Sequence, residues 1–202
     1  MIKEKCIGNY IEAIEAQKLG ADRVELCDNL EEGGTTPSYG TIKMVLRDLK
    51  IPVFVIIRPR GGNFVYTKEE IEIMKEDIKL CKELGADGVV LGVLTHDNKI
   101  DYEVTKELVE CAKPMSITFH KAIDEVENPV VEFKKLANLG IDRILSSGTK
   151  LTALEGKDIL NKMISEGENK ITIVVAGKVT KDNLIDVSKE IPAKEYHGKK
   201  IV

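Results

Sequence analysis

Apolar residues along this chain follow two rhythms. Short unbroken runs, such as Val53-Phe54-Val55-Ile56-Ile57, contain no alternating polar residue, so a strand made from them is buried on both faces. Longer stretches repeat apolar residues every three or four positions, as in Ile71, Met74, Ile78 and Cys81, or Val104, Leu108 and Cys111. That spacing predicts helices with one inward face. Thr67 and Glu70 form a capping box before the first of these stripes, and Asn128-Pro129 supplies a cap and a first-turn proline before Val130, Phe133 and Ala137. Strands are predicted at 23–27, 53–58, 88–92, 115–119, 143–146, 171–176 and 194–197, with a weaker one at 2–7.

Punctuation between these elements recurs. Leu19-Gly20-Ala21-Asp22, Leu84-Gly85-Ala86-Asp87 and Leu139-Gly140-Ile141-Asp142 are near copies, each predicting a helix that ends on leucine with glycine as its left-handed cap. Prolines at Ile51-Pro52, Lys113-Pro114 and Ile191-Pro192 stop helices and open the next strand. Strands alternating with helices predict a parallel α/β fold. The repeat favours a closed TIM (β/α)8 barrel over an open sheet, as one domain over residues 1–202. No helix is expected after the last strand, which leaves an apolar flank that suits a homodimer or a higher homo-oligomer.

Composition narrows the function classes. The formal net charge is −4, and no basic stripe interleaved with aromatics is present, so nucleic acid is not the expected partner. No apolar run reaches membrane-spanning length, and the N-terminus lacks an apolar signal core, which makes a cytoplasmic location the expectation. Cys6, Cys27, Cys81 and Cys111 show no C-x-x-C spacing and are expected as reduced thiols. With neither G-x-G-x-x-G nor a P-loop, no nucleotide cofactor is expected.

Several motifs fall together at predicted strand ends: Arg23-Val24-Glu25-Leu26-Cys27, Glu32-Gly33-Gly34-Thr35-Thr36-Pro37-Ser38, Ile56-Ile57-Arg58-Pro59-Arg60-Gly61-Gly62-Asn63-Phe64, Gly92-Val93-Leu94, Thr118-Phe119-His120-Lys121-Ala122-Ile123-Asp124, and Arg143-Ile144-Leu145-Ser146-Ser147-Gly148. In these the chain resembles the CutC copper-homeostasis family. The resemblance covers the chain up to His197 and implies a TIM barrel that binds copper and takes part in control of intracellular copper. The chain departs from the family pattern at Thr95, usually Asp, at Lys121, usually Arg, and in the turn Ala176-Gly177-Lys178-Val179-Thr180, which carries lysine where a second glycine is usual.

Alternation along the strands sends Glu4, Cys6, Arg23, Glu25, Cys27, Ser116, Thr118 and His120 towards the barrel axis. Cys6 and Cys27 then offer two soft thiolates for Cu(I), with His120 or His197 as a third ligand; buried free cysteines are also ordinary small hydrophobes. A different reading takes the same mouth as an isomerase, lyase or hydrolase acting on a small anionic metabolite. There His120 is the acid/base, Glu25 and Asp124 position or assist it, and His197 belongs to the same catalytic cluster. Arg58 and Arg60 clamp the anion, while Ser147 and Gly148 offer it a hydroxyl and backbone N–H groups. An internal salt-bridge network, with Arg58 paired to Glu25, is the bland counterpart of that site.

Overall fold

A computed structural model describes residues 1–167 and 170–202. The chain runs β1 (Ile2–Ile7), α1 (Tyr10–Lys18), β2 (Arg23–Leu26), α2 (Tyr39–Asp48), β3 (Val53–Ile56), α3 (Lys68–Glu83), β4 (Gly88–Leu91) and α4 (Tyr102–Ala112). It continues through β5 (Ser116–Phe119), α5 (Pro129–Leu139), β6 (Arg143–Ser146), α6 (Lys157–Glu166), β7 (Thr172–Val175), α7 (Leu184–Glu190) and β8 (Glu195–Gly198). All eight strands are parallel, and they pair in chain order until β8 closes on β1. This is the expected (β/α)8 barrel, with no helix after β8 among the described residues. No helix is long and apolar enough to cross a membrane.

The Leu-Gly-x-Asp repeat has a structural cause. Gly20, Gly85 and Gly140 take φ of +85°, +79° and +97°, a conformation that costs glycine little. The aspartate two residues later then reaches back across the barrel's lower rim. Asp22 accepts from the Lys3 amide at 2.8 Å, Asp87 from Val53 at 2.9 Å and Asp142 from Ile117 at 2.8 Å. Each carboxylate thus satisfies an amide near the start of the neighbouring strand, on β1, β3 and β5, which explains a motif that recurs every second unit.

Alternation sorts the side chains as the sequence predicts. Ile117 and Phe119 join the large apolar layer beneath the helices, while Cys6, Cys27, Phe54, Ile56 and Val90 form a separate interior cluster. Below them lies a knot of buried charge: Arg23 donates to both Glu4 and Glu195. The Phe54 ring lies between two guanidiniums, 4.7 Å from Arg23 and 4.9 Å from Arg143. This charged layer closes the barrel interior from beneath, leaving a smaller pocket at the lower rim beside Arg23, Phe54 and Arg143.

Several strands end earlier than their apolar runs. β3 stops at Ile56 rather than at Arg58, whose amide instead donates to Thr36 Oγ1 at 2.9 Å. Similarly β2, β4 and β7 stop at Leu26, Leu91 and Val175, β5 starts at Ser116, and β8 runs on to Gly198. Cys27, Arg58 and His120 therefore sit just past their strands, where barrels carry their chemistry, while Cys6, Glu25 and His197 project from within β1, β2 and β8.

Candidate functional site

The mouth encloses a cavity of about 580 Å³ whose walls include Leu30, Ile56, Phe64, Leu145, Leu151 and Val179. That volume lies within the roughly 300–1,000 Å³ usual for small-molecule sites. Its polar lining comes from Cys6, Glu25, Arg58, His120 and His197, with Lys121, Lys178, Lys199 and Lys200 at the rim.

At the cavity wall Cys6 forms a sulfur pair with Cys27, which is buried and outside the lining. Cys6 Sγ and Cys27 Sγ are 3.9 Å apart, brought together because Cys6 pairs in register with Glu25, two residues before Cys27. Gly34, at φ +94°, leaves room for the second thiol, since a Cβ there would lie 3.3 Å from Cys27 Sγ. Hydrogen bonding from Cys27 holds Cys6 well below the usual thiol range, with burial opposing and His197 assisting. Cys27 is pushed up by the same bond and by burial. The shifts bias the pair towards a Cys6 thiolate beside a Cys27 thiol.

Beside the sulfurs stands His197. Its Nδ1 lies 2.8 Å from Glu4 Oε1 and its Nε2 3.5 Å from Glu25 Oε2. Burial disfavours the charged imidazole, but the Glu25 charge and hydrogen bonds to Cys6 and Glu4 outweigh it and raise His197 well above its ordinary range. Glu4 is held at about 2: burial pushes it up, but the His197 hydrogen bond and the Arg23 charge prevail. Glu25 is raised, chiefly by burial and then by Cys6. Two donor groups compact enough to hold a metal ion result, Cys6–Glu25–Cys27 and Glu4–Glu25–His197, sharing Glu25.

His120 belongs to a different part of the mouth. It caps a 3-10 turn at Lys121–Glu125, and its Nδ1 accepts from the Ala122 amide at 3.2 Å. The proton therefore sits on Nε2, which is buried and has no partner among the described residues. Burial and then the Arg58 charge lower its pKa to about 3, so the ring is a neutral donor. Phe64 packs against it, with ring centroids 4.7 Å apart. Gly92 makes room for it: a Cβ there would lie 2.5 Å from the imidazole.

The arginines are employed differently from the sequence reading. Arg58 does not pair with Glu25; its terminal nitrogens donate to the carbonyls of Glu32, Gly34 and Gly62, and its Nε is buried with no hydrogen-bond partner among the described residues. It ties the loops after β2 and β3 together and exposes one edge to the cavity. Arg60 lies outside the cavity lining, bound to Glu70 at 2.5 Å and to the carbonyls of Gly61, Asn63 and Val65.

Asp124 also departs from its expected role beside His120. It accepts from Ser146 Oγ, from the Ser147 amide and hydroxyl at 2.9 Å each, and from the Thr149 amide at 3.1 Å. The anion nest expected at Ser147-Gly148 is thus filled by the protein's own carboxylate, and Gly148 donates to Ser146 Oγ. Neither Glu25 nor Asp124 orients His120; the histidine that a carboxylate does orient is His197, through Glu4. Sequence reading passed over Lys199 and Lys200 at the rim, as these lie beyond the last predicted strand and carry no motif. Phe64, noted only within a longer motif, packs on His120.

A model of the CutC family matches residues 1–202 of the chain. A human protein named copper homeostasis protein cutC homolog is 43% identical over 196 residues, covering 97% of this chain and 72% of its own. A crystal structure of a CutC protein from Streptococcus agalactiae superposes with a TM-score of 0.94 at 38% identity, covering 100% of both chains. Dihydrodipicolinate synthase from Bacillus anthracis matches with a TM-score of 0.70 at 12% identity, over 98% of this chain and 69% of that one; this likeness is one of fold alone.

Proposed function

The chain belongs to the CutC family, and we propose that it binds copper as Cu(I) between Cys6 and Cys27 and takes part in copper handling in the cytoplasm. One observation carries this reading: two thiol sulfurs lie 3.9 Å apart, and one of them belongs to Cys6 in the wall of an open cavity. Soft thiolates suit Cu(I). The separation is less than two metal–thiolate bonds of about 2.3 Å laid end to end, so a metal held by both sulfurs is bent and keeps room for a third donor. Glu25 and His197 are the groups at hand, not His120, which belongs to neither donor cluster. Cys6 is already biased towards thiolate, so ligation displaces chiefly the Cys27 proton. Access is from above, since Cys6 lines the cavity.

An anaerobic Cu(I) titration against a colorimetric chelator tests this on the wild type, Cys6→Ser and Cys27→Ser. The expected result is one tightly held Cu(I) per chain, with affinity falling by roughly a hundredfold or more in either variant, as loss of a soft ligand should bring. Unchanged affinity in both variants refutes the site.

A further inference from the structure

The lining above the sulfur pair is strongly asymmetric in charge. It holds five permanent cations, Arg58, Lys121, Lys178, Lys199 and Lys200, and one carboxylate, Glu25. This stands out on a chain whose formal net charge is −4. Charge of one sign gathered around a concave, partly apolar site focuses its potential on a ligand of the opposite sign.

Two donors in the cavity wall are deeply buried, and Arg58 also interacts with the Tyr66 hydroxyl. Arg58 Nε and His120 Nε2 both lack partners among the described residues, and each side chain is 4% exposed. Both residues line the cavity, on either side of Phe64, whose centroid is 5.0 Å from the Arg58 guanidinium carbon and 4.7 Å from the His120 ring. Buried donors of this kind are ordinarily satisfied, and both belong to residues of the cavity wall.

The charged end of that ligand has one place to go. The corner after β6 is closed, because Asp124 already occupies its amides. The corner after β7 and β8, the usual phosphate corner of such barrels, presents Lys178, Lys199 and Lys200 to the same cavity. Lys178 there holds φ +56°, next to Gly177 at +102°. A lysine kept in the left-handed region where glycine is easier is retained at some conformational cost, a pattern associated with functional positions. The loops are pinned to each other by the bridge between Thr180 and Lys200.

We propose that this cavity binds a small phosphate monoester, its phosphate at the β7/β8 corner on Lys178, Lys199 and Lys200, its apolar body against Phe64 and Leu151, and an acceptor oxygen on His120 Nε2–H and Arg58 Nε–H. The site is separate from the copper reading, since none of its anchoring groups is a copper donor. Either can fail without the other.

Calorimetric titration of the metal-free protein tests it. The probes are phenyl phosphate, inorganic phosphate, benzoate and, as the neutral control, benzyl alcohol. Phenyl phosphate is expected to bind saturably and at least tenfold more tightly than inorganic phosphate or benzoate, with no saturable heat from benzyl alcohol. Lys178→Gly is expected to keep or raise the melting temperature, because it relieves the backbone, while weakening phenyl phosphate several-fold. The double variant Lys178→Gly/Lys200→Ala is expected to lose at least tenfold, and His120→Phe, which keeps a ring but removes the donor, to lose several-fold. Absence of saturable phenyl phosphate binding, unchanged affinity in the double variant, or tighter binding of benzoate than of phenyl phosphate each overturns the proposal.

Discussion

Burial acts on His120 without a carboxylate to oppose it, whereas His197 is buried between two glutamates, and the two rings end up in opposite protonation states. His120 is neutral down to about pH 3, and its Nδ1 is committed to the Ala122 amide. A histidine held so low is a hydrogen-bond donor at neutral pH, not a base poised to exchange protons. Nitrogen-15 NMR should show its Nε2–H tautomer unchanged between pH 8 and 5, and a titration near 6.5 contradicts the burial account. Stability should respond in a definite direction. The unfolded chain takes up this proton near pH 6.5 and the folded protein only near 3, so across that window acid favours the unfolded state. Unfolding free energy therefore falls as pH falls, at up to about 1.4 kcal/mol per pH unit from this group. Chemical denaturation of His120→Asn should show a shallower acid limb; an unchanged slope speaks against it. At this scale the sequence was readable for direction and not for partners. Alternation placed Glu4, Cys6, Glu25, Cys27 and His120 on the inside. Which carboxylate meets which histidine depends on the β8–β1 register, where Glu4 lies opposite His197, and no local pattern encodes that.

At the scale of elements, the repeated Leu-Gly-x-Asp junction joins sequence to architecture. The glycine ends a helix and the aspartate anchors the neighbouring strand, so a single four-residue unit sets both the stop and the register. Asp87 is the clearest case, with its carboxylate on the Val53 amide at the foot of β3. Asp87→Ala leaves that part-buried amide unpaired and should cost about 1–3 kcal/mol in urea denaturation; a change near zero means that water replaces the carboxylate freely. Apolar runs misjudged strand ends for a physical reason. Ile57 stays buried beyond the last residue of β3, and its amide still donates to the Val90 carbonyl at 2.8 Å, so burial and hydrogen bonding to the neighbouring strand both run past the strand's regular pairing. Arg58 was legible as a strand-end cation but not as a tie between loops, because its acceptors are backbone carbonyls from residues 32, 34 and 62, and these leave no mark in side-chain identity.

For the whole molecule, the order of strands and helices was enough to give the barrel, because parallel strands alternating with helices have few compact solutions. Its lower half is a buried charge cluster and its upper half holds the larger of the two cavities at the barrel ends. The outside carries apolar residues without cover, notably Ile11 on α1 and Ile185 on α7, which are 67% and 68% exposed. We expect these helices to take part in self-association, to be read as a dimeric or larger mass by light scattering at micromolar concentration; a monomeric mass refutes it. Central to the account is the sulfur pair, and copper K-edge X-ray absorption of the Cu(I)-loaded protein addresses it most directly. The predicted spectrum has two sulfur scatterers per copper with one lighter donor, and loses sulfur in Cys27→Ser. A first shell of nitrogen and oxygen alone, or one unaltered by that substitution, would contradict the account.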